Sequence, residues 1–273
     1  MFRDSTQPES QLDSGVRLVD WSPVPLRSVP GVSNADYGVR SRLMTVEIYA
    51  DPDELAQSAS IHIGAWLRVD GNRTLGLAGG STPRLTYEYL QSEDIPWDRT
   101  HTWLTDERHV PLDHPDSNGA MALESLLSHV PAQFHPVQHH DDPEVSAAEY
   151  EQTLSRMWEE VGSRDRKGLM LLGLGDDGHT ASLFPGTAAL NETERSYVAN
   201  WVEEHDTWRL TATPPLLESA DRLLFLVAGD AKAGVVAEIL EGDSQHPAGR
   251  VSRSASDVIW MLDRSAASRL SGS

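Results

Sequence analysis

An aspartate and a histidine follow a short apolar run in the segment GLMLLGLGDDGHTASLFPGT, residues 168–187. Leu169 to Leu172 have the composition of a buried strand, and glycines follow them directly. A strand that ends in glycines presents side chains at the carboxyl edge of a sheet, where open α/β folds bind their ligands. Histidine titrates near neutral pH. We therefore expect Asp177 and His179 to carry general acid or base chemistry.

The same turn matches the dinucleotide fingerprint G-x-G-x-x-G at Gly173, Gly175 and Gly178. That fingerprint requires a helix after its last glycine, because the helix N-terminus binds the pyrophosphate. Pro185 would break such a helix, and His179 occupies the position directly after the last glycine. The sequence therefore argues against a nucleotide site.

A second apolar run ends in the sequence GGSTP. Gly79 and Gly80 let a ligand approach the backbone, while Ser81 and Thr82 supply hydroxyls and a candidate helix cap. Pro83 suits the first turn of a helix, whose free amides bind phosphate. Taken alone, the pattern is equally typical of an ordinary strand-to-helix turn.

A third apolar run ends in the sequence TDER, and Asn118 follows a little downstream. Asp106 is suited to orienting a water molecule or a sugar hydroxyl, and the planar guanidinium of Arg108 is suited to phosphate or carboxylate. We interpret Glu107 as part of a solvated, charged loop. Because the carboxyl ends of parallel strands share one edge, the three segments are expected to converge there.

The chain carries 42 acidic and 22 basic residues, for a formal net charge of −20. The acidic excess lies entirely after residue 43. Such a surface repels nucleic acid, so no nucleic-acid partner is expected, and the acidity itself favours solubility. In so acidic a chain, Arg209 and Lys232 are candidates for binding an anionic substrate from predicted loops. A surface role fits each of them equally well.

One histidine-rich stretch contains residue types that bind metals, namely His135, His139, His140, Asp141 and Asp142. A metal site needs ligands that converge from fixed positions and an ordered set of groups behind them. This stretch follows a short predicted strand and has the composition of a loop. We interpret it as a solvated turn and predict no metal site.

The absence of cysteine excludes thiol catalysis, disulfides and thiolate metal ligands, and it favours a cytoplasmic setting. No apolar run approaches the roughly 20 residues that span a bilayer, and the N-terminus lacks the order of a secretory signal. No membrane contact is therefore expected. With 273 residues, of which 39% are hydrophobic, the chain is large enough for one large α/β domain or two small ones.

From residue 45 onward, short apolar runs alternate with segments of helical periodicity. Strands are predicted over residues 45–49, 74–78, 101–105, 169–172, 197–201, 222–228 and 258–262. Helices are predicted over residues 53–67, 83–90, 120–127, 145–161 and 231–240, with Asp51 as the candidate N-cap of the first. Strands that alternate with helices indicate a mostly parallel sheet covered on both faces.

Residues 1–43 are rich in Ser, Pro and Gly and show no sustained periodicity. We predict a flexible leader over residues 1–43 and a catalytic domain over residues 44–273. Met44 is an alternative translation start, which would make part of the leader an artefact. In the opposite interpretation, Leu18, Trp21 and Leu26 pack as an ordered arm.

In this order, the segments GGSTP, TDERHVPLDHPDSN, GLGDDGHTASLFPGT, RLTATPPLL, LVAGDAKA and HPAGRV resemble the 6-phosphogluconolactonases. The resemblance covers roughly residues 44–265, and GLGDDGHTASLFPGT is its most specific part. It implies a Rossmann-like, three-layer α/β/α fold of the sugar-phosphate isomerase and deaminase type. It also implies hydrolysis of 6-phospho-D-glucono-1,5-lactone to 6-phosphogluconate, the second step of the oxidative pentose phosphate pathway, without a cofactor.

The resemblance implies that His179 is the general base that activates water, with Asp106 and Asp177 as its acidic partners. It implies phosphate or substrate binding by Gly79, Gly80, Ser81, Thr82, Arg108, Asn118, Arg209 and Lys232. The chemistry agrees, because a lactone carbonyl is already electrophilic and one base that deprotonates water starts its hydrolysis. The implied partner is a small phosphosugar lactone, and a monomer is the default expectation.

Two alternatives remain at this point. Glucosamine-6-phosphate deaminases resemble the chain at GGSTP and at the Asp-Gly-His turn. Those enzymes carry a glutamate five positions after the histidine, where this chain has Phe184, and this difference counts against the deaminase interpretation. A non-catalytic sugar-phosphate sensor would keep Arg209 and Lys232 but would not need Asp177 and His179.

Overall fold

The computed structural model describes residues 15–18, 43–71, 73–162, 167–242 and 244–271. The strands of these residues are β1 Gly15–Leu18, β2 Leu43–Tyr49, β3 Arg73–Leu77, β4 Thr100–Leu104, β5 Asp106–Arg108, β6 Gln133–Phe134, β7 Leu169–Leu172, β8 Tyr197–Val202, β9 Thr207–Ala212, β10 Arg222–Val227 and β11 Asp257–Asp263. The helices are α1 Pro52–Leu67, α2 Ser81–Leu90, α3 Asn118–Ala122, α4 Pro143–Glu160, α5 Pro214–Glu218, α6 Ala233–Glu241, α7 Pro247–Ser254 and α8 Arg264–Ala267.

The main sheet has the strand order β1-β2-β11-β10-β7-β3-β4-β6. All of its pairings from β2 to β6 are parallel, and β1 joins β2 in the antiparallel direction. Parallel strands need crossover connections, and helices supply them. The predicted α/β fold with a mostly parallel sheet is therefore confirmed.

The centre of the sheet is apolar on both faces. All four residues of β7 are fully buried, as expected for a parallel strand covered by helices on both sides. On the neighbouring strands, the ring of Phe225 stacks on that of Trp260 with centroids 4.1 Å apart. Among the described residues, no helix combines the length and the apolarity needed to cross a membrane.

A second, smaller sheet has the strand order β5-β9-β8 and is entirely antiparallel. Residues 197–201, which we expected in the main sheet, form β8 of this second sheet instead. The reason is the connection: a short turn at Glu203–His205 joins β8 directly to β9, and so short a link can only pair antiparallel neighbours. Strand β9 was not predicted at all.

Local sequence accounts for the start of α1. The side chain of Asp51 accepts hydrogen bonds from the backbone amides of Asp53 and Glu54, which is the predicted N-cap, and Pro52 occupies the first helical position. Seven residues of α1 recur at helical spacing and are buried. The end at Leu67 agrees with the prediction.

The predicted leader contributes one strand to the main sheet, since Gly15–Leu18 pairs with Thr45–Ile48. Residues 1–14 and 19–42, including Trp21 and Leu26, lie outside the described residues. Strand β2 begins at Leu43, two residues before the predicted strand. The division of the chain at residue 43 stays a prediction.

Candidate active site

One hydroxyl group lies where three strands of the main sheet end. Thr105 follows β4, and its Oγ1 is 3.0 Å from the carbonyl oxygen of Leu77 and 3.3 Å from that of Leu171. These carbonyls belong to β3 and β7, so the Thr105 side chain links the ends of all three strands. The three predicted segments accordingly meet at one edge of the sheet, as expected for parallel strands.

A cleft of about 160 Å³ opens at this edge. Six of the predicted site residues line it, namely Gly79, Gly80, Asp106, Arg108, Asn118 and His179. A neighbouring cleft of about 410 Å³ shares Gly80, Arg108 and Asn118 with the first and adds Ser81. The two clefts are therefore adjacent.

His179 lies against the carboxylate of Asp177. The distance from His179 Nδ1 to Asp177 Oδ1 is 2.6 Å, and the same oxygen accepts a 3.0 Å hydrogen bond from the His179 backbone amide. Burial alone would raise the pKa of Asp177, but these hydrogen bonds and the charge of the histidine ring hold the pKa below its usual value. The ionised carboxylate accepts the proton of Nδ1, so Nε2 carries the lone pair. Nε2 makes no hydrogen bond to any residue that the structure describes.

One face of the His179 ring stacks on Phe184, and the two ring centroids are 4.0 Å apart. The edge of the His205 ring, at the tip of the β8–β9 hairpin, contacts Phe184 in turn. Phe184 is buried. The surroundings of His179 therefore comprise one carboxylate on Nδ1 and an apolar wall, with no second carboxylate at position 184.

Asp106 also lines the cleft, but among the described residues its side-chain hydrogen bonds are to Ser182 and Asn118 and not to His179. Its Oδ2 accepts a 2.7 Å hydrogen bond from Ser182 Oγ, and Asn118 Nδ2 donates to its carbonyl oxygen at 2.8 Å. The Oδ1 atom of Asn118 lies against Gly79, is buried, and has no hydrogen-bond partner among the described residues. A buried acceptor without a donor, at a cleft wall, is suited to binding a ligand hydroxyl.

Glu107 was predicted to be solvated, and this prediction is wrong. Its side chain is 3% exposed and accepts hydrogen bonds from the backbone amides of Arg108, Asn118 and Gly119 and from Ser117 Oγ. Burial raises the pKa of its carboxyl group in spite of these donors. Glu107 therefore links β5 to the N-terminus of α3, where Asn118 lies.

Two arginines are neighbours in the second sheet, and one of them, Arg108, also lines the cleft. Arg209 is on β9, not in the predicted loop, and stands opposite Arg108 of β5 in the second sheet. Burial, followed by the charge of Arg108, lowers the pKa of Arg209. Its Nε atom is buried without a hydrogen-bond partner among the described residues. Two neighbouring cations with an unused donor favour an anionic ligand.

The GGSTP segment begins α2 at Ser81, two residues earlier than predicted. The N-cap is Gly80, with φ of 109°, and no side chain caps the helix, so the predicted capping role of Ser81 and Thr82 is wrong. The hydroxyl of Tyr87 bonds both to the amide and to the carbonyl of Ala78, which fixes the strand end in front of the turn. The first amides of α2 stay available for an anion at the cleft.

Lys232 and Thr82 are not among the residues that line the two clefts. Lys232 lies in a short helical turn before α6, and its Nζ forms an ion pair with Asp176. Asp176 belongs to residues 173–179, which we call the catalytic turn. Thr82 lies in the first turn of α2 and accepts a hydrogen bond from Thr86 Oγ1 at its carbonyl oxygen. Five of the eight predicted binding residues therefore line the clefts, whereas Thr82, Arg209 and Lys232 do not.

The histidine-rich stretch makes separate contacts. His135 stacks on His101, His139 stacks on His109, and His140 binds Glu149. Within the described ranges, no group of three or more histidine and acidic side chains has the arrangement of a metal site. His135 is half-buried rather than solvated as predicted, because it packs against a buried ring on β4.

Sequence reasoning did not identify Ser182 or His246 as contributors to the site. Ser182 binds Asp106 from the segment that follows His179, and His246 contacts the backbone of Asp177 from behind the turn. Both residues lie inside segments that carried the family resemblance, TASLFPGT and HPAGRV. That location was the available signal.

Comparison with known proteins identifies the family of this chain. The sequence profile of the family "Glucosamine-6-phosphate isomerases/6-phosphogluconolactonase" matches residues 50–260. The chain belongs to this family. A 6-phosphogluconolactonase from Synechocystis sp. (strain ATCC 27184 / PCC 6803 / Kazusa) is 41% identical over 207 residues, which are 73% of this chain and 85% of that protein.

Solved structures of the family have the same fold. The 6-phosphogluconolactonase from Trypanosoma brucei superposes with a TM-score of 0.73 at 29% identity, covering 85% of this chain and all of the other. A monomeric glucosamine-6-phosphate deaminase superposes with a TM-score of 0.70 at 27% identity, covering 82% of this chain and 99% of the other. Both activities therefore occur on this fold, and the side chains of the cleft must distinguish them.

Proposed function

We propose that this protein hydrolyses 6-phospho-D-glucono-1,5-lactone to 6-phospho-D-gluconate. The observation that carries the proposal is the pairing of His179 with Asp177 at the cleft, which leaves Nε2 with a lone pair and no partner among the described residues. A neutral imidazole in that state is a general base for water. Its relatives in the family, which bear the name 6-phosphogluconolactonase, support the same reaction.

The proposed reaction begins when Nε2 of His179 takes a proton from a water molecule, whose oxygen attacks the lactone carbonyl carbon. Asp177 holds the ring and stabilises the imidazolium that results. When the tetrahedral intermediate collapses, the bond between the carbonyl carbon and the ring oxygen breaks. The imidazolium returns its proton to that ring oxygen, which becomes a hydroxyl, and His179 is neutral again.

The substrate's phosphate is assigned to the side of the cleft formed by the start of α2 and the two arginines. The uncapped first turn at Gly80 and Ser81, together with Arg108 and Arg209, supplies amide and guanidinium donors in a protein with a net charge of −20. Binding the phosphate at a distance from the carbonyl turns binding energy into orientation at the reacting carbon. Asn118 Oδ1 is assigned to a sugar hydroxyl.

The environment of His179 favours the lactonase over the deaminase. Ring opening and amine chemistry require more proton handling than lactone hydrolysis, and the deaminases that the sequence resembles carry a glutamate at position 184. Here that position is a buried phenylalanine stacked on the histidine. A sensor, the other alternative, would have no use for a histidine and carboxylate pair at the cleft.

The test is an assay of lactone hydrolysis, corrected for the spontaneous reaction, beside an assay of ammonia release from glucosamine 6-phosphate. We expect the wild type to hydrolyse the lactone and to release no ammonia, and His179→Ala to lose at least about 100-fold in kcat. His62→Ala is the matched control, because His62 lies on α1 and contacts Glu47, away from the cleft. A wild type no faster than buffer would refute the proposed function, and an undiminished His179→Ala would refute the role of the histidine.

We further propose a cytoplasmic, monomeric enzyme. The lack of cysteine in 273 residues supports a reducing compartment. Sedimentation of the active enzyme at micromolar concentration should give the mass of one chain.

A further inference from the structure

A second histidine and carboxylate pair lies behind the catalytic turn. His246 precedes α7, and its Nδ1 is 3.0 Å from the carbonyl oxygen of Asp177. Its Nε2 is 2.8 Å from Glu238 Oε2 on α6. The His246 side chain therefore connects the backbone of Asp177 to a neighbouring helix.

Both groups that His246 contacts are hydrogen-bond acceptors. A carbonyl oxygen and a carboxylate accept hydrogen bonds, so both ring nitrogens must donate for the two contacts to exist together. The contact with the Asp177 carbonyl therefore places a proton on Nδ1 of His246.

The catalytic turn is shaped to receive this ring. Gly178 has φ of 80°, and a Cβ atom built on it would lie 2.5 Å from His246 Cγ, so a side chain at position 178 would displace the histidine. The carbonyl of Gly178 accepts a 3.0 Å hydrogen bond from the amide of Ala248, in the first turn of α7. Two consecutive carbonyls of the turn are thus held by two donors from the start of α7.

We propose that His246, oriented by Glu238, is a positioning residue that fixes the Asp177 main chain and thereby aligns Asp177 with His179. The proposal rests on the proposed lactonase function. The carboxylate that holds His179 belongs to the same residue whose carbonyl His246 holds, so a rotation of that peptide moves the carboxylate. A displacement of about 1 Å in a catalytic pair is enough to lower the rate strongly without affecting substrate binding.

The first experiment is His246→Ala with kcat and KM measured separately. We expect kcat to fall about tenfold while KM for the lactone stays within twofold, because the cleft residues that bind substrate are unchanged. Glu238→Ala should lower kcat about threefold, since His246 then loses its outer partner but keeps the Asp177 contact. Glu241→Ala is the matched control on the same helix, because its side chain binds Ser271 instead, and it should leave kcat unchanged.

Two conservative variants separate positioning from simple packing. In His246→Asn, the side-chain amide occupies the place of Nδ1 and can donate to the Asp177 carbonyl. In His246→Gln, the amide occupies the place of Nε2 and can reach Glu238 but not Asp177. We expect Asn to restore kcat to within threefold of the wild type and Gln to remain as low as Ala. If His246→Ala does not fold, this pair alone decides the question.

An independent readout needs no substrate. The His179 amide donates to Asp177 Oδ1, so its hydrogen exchange reports the geometry of the turn. We expect exchange at this amide to accelerate about tenfold in His246→Ala and to return toward the wild-type rate in His246→Asn. If the wild type lacks lactonase activity, the proposed function fails and exchange alone tests the role of His246. An unchanged kcat or unchanged exchange in His246→Ala, or equal rescue by Gln and Asn, would overturn the positioning role.

Discussion

The catalytic turn at residues 173–179 and the β4–β6 edge of the sheet both contain histidines, but they surround them differently. In the turn, His179 Nδ1 lies 2.6 Å from a carboxylate oxygen of Asp177. At the edge, His101 Nδ1 lies 3.1 Å from His135 Nε2, and the two rings stack with centroids 5.4 Å apart. The first arrangement pairs a base with an acid, and the second pairs two bases with each other.

The partner determines what each histidine is able to do. A carboxylate accepts one ring proton, which fixes the tautomer and stabilises the protonated ring during a proton transfer. A second histidine has no charge to offer, and burial lowers the pKa of both His101 and His135. The edge pair is therefore held neutral. Histidine content alone does not indicate a site, whereas a histidine with an acidic partner at a cleft does.

The largest effect should follow from removing the acidic partner. Asp177→Asn keeps the volume of the side chain but removes the charge that stabilises protonated His179, so kcat for lactone hydrolysis should fall about 100-fold. His135→Gln at the β4–β6 edge should leave kcat within twofold. A kcat of Asp177→Asn above a tenth of the wild-type value would contradict the proposed difference between the catalytic turn and the β4–β6 edge.

A second prediction concerns the space that the catalytic pair occupies. A Cβ atom built on Gly175 would lie 2.0 Å from His179 Nδ1 and 2.7 Å from Asp177 Oδ1. Gly175→Ala must therefore displace the ring, and we expect kcat to fall about 30-fold. Gly234→Ala on α6 serves as the control and should not change kcat. Retention of full activity by Gly175→Ala would mean that the pair tolerates movement.

A smaller effect on kcat is expected from replacing Phe184, which forms the apolar wall beside His179. Phe184→Leu keeps an apolar side chain but loses the ring that stacks on His179, an interaction worth about 1 kcal/mol, so kcat should fall about fivefold. Phe225→Leu removes a comparable stack on Trp260 in the core. That variant should lower the free energy of unfolding by about 1–2 kcal/mol without changing kcat. Equal effects of both variants on kcat would contradict a specific role for the wall.

The smallest effect should appear in stability against pH. Because the folded-state pKa values of His101 and His135 are lowered, the unfolded chain binds more protons as the pH falls through about 6.5, so folding stability decreases in that direction. Above that pH, the contribution is complete. Urea unfolding of the wild type and of the double variant His101→Gln/His135→Gln, each at pH 8 and pH 5.5, should show a smaller decrease in the variant.

Glu107 does not disturb this comparison. Burial raises its pKa, so its contribution to folding stability increases as the pH falls, which is opposite to that of the two histidines. This contribution is the same in the wild type and in the double variant, and it cancels when their stabilities are compared. Identical pH dependence of the two proteins would show that the edge pair is not held neutral.

Prediction from the sequence succeeded where local pattern and tertiary structure agree. Strand β7 has the predicted bounds because four consecutive apolar residues next to glycines fit a central parallel strand. Asp51 caps α1 as predicted, because capping is a local interaction. The convergence of three strand ends followed from the geometry of a parallel sheet. The resemblance implied both Asp106 and Asp177 as acidic partners of His179, and the structure shows the contact with Asp177. Spacing along the chain does not report which carboxylate reaches the ring.

Prediction failed where tertiary contacts overrule local composition. The sequence DER at β5 has the composition of a charged loop, yet it forms a strand that pairs with β9. The side chain of Glu107 is buried and accepts hydrogen bonds from backbone amides at the start of α3. Helix α7, PAGRVSRS, contains glycine, proline and two serines, which are residues of weak helical preference. It forms against α6 and the catalytic turn, contacts that no local pattern records.

The position of β11 in the sheet has a consequence for how the protein is made. Strand β11 lies between β2 and β10, although it is the last of the described strands along the chain. A growing polypeptide therefore carries every residue of the cleft before it contains the strand that joins the two parts of the sheet. Until β11 leaves the ribosome, the edges of β2 and β10 that it will cover stay unpaired, and such edges promote aggregation. The interval between completing the cleft and completing the sheet is when the nascent chain most needs protection by chaperones.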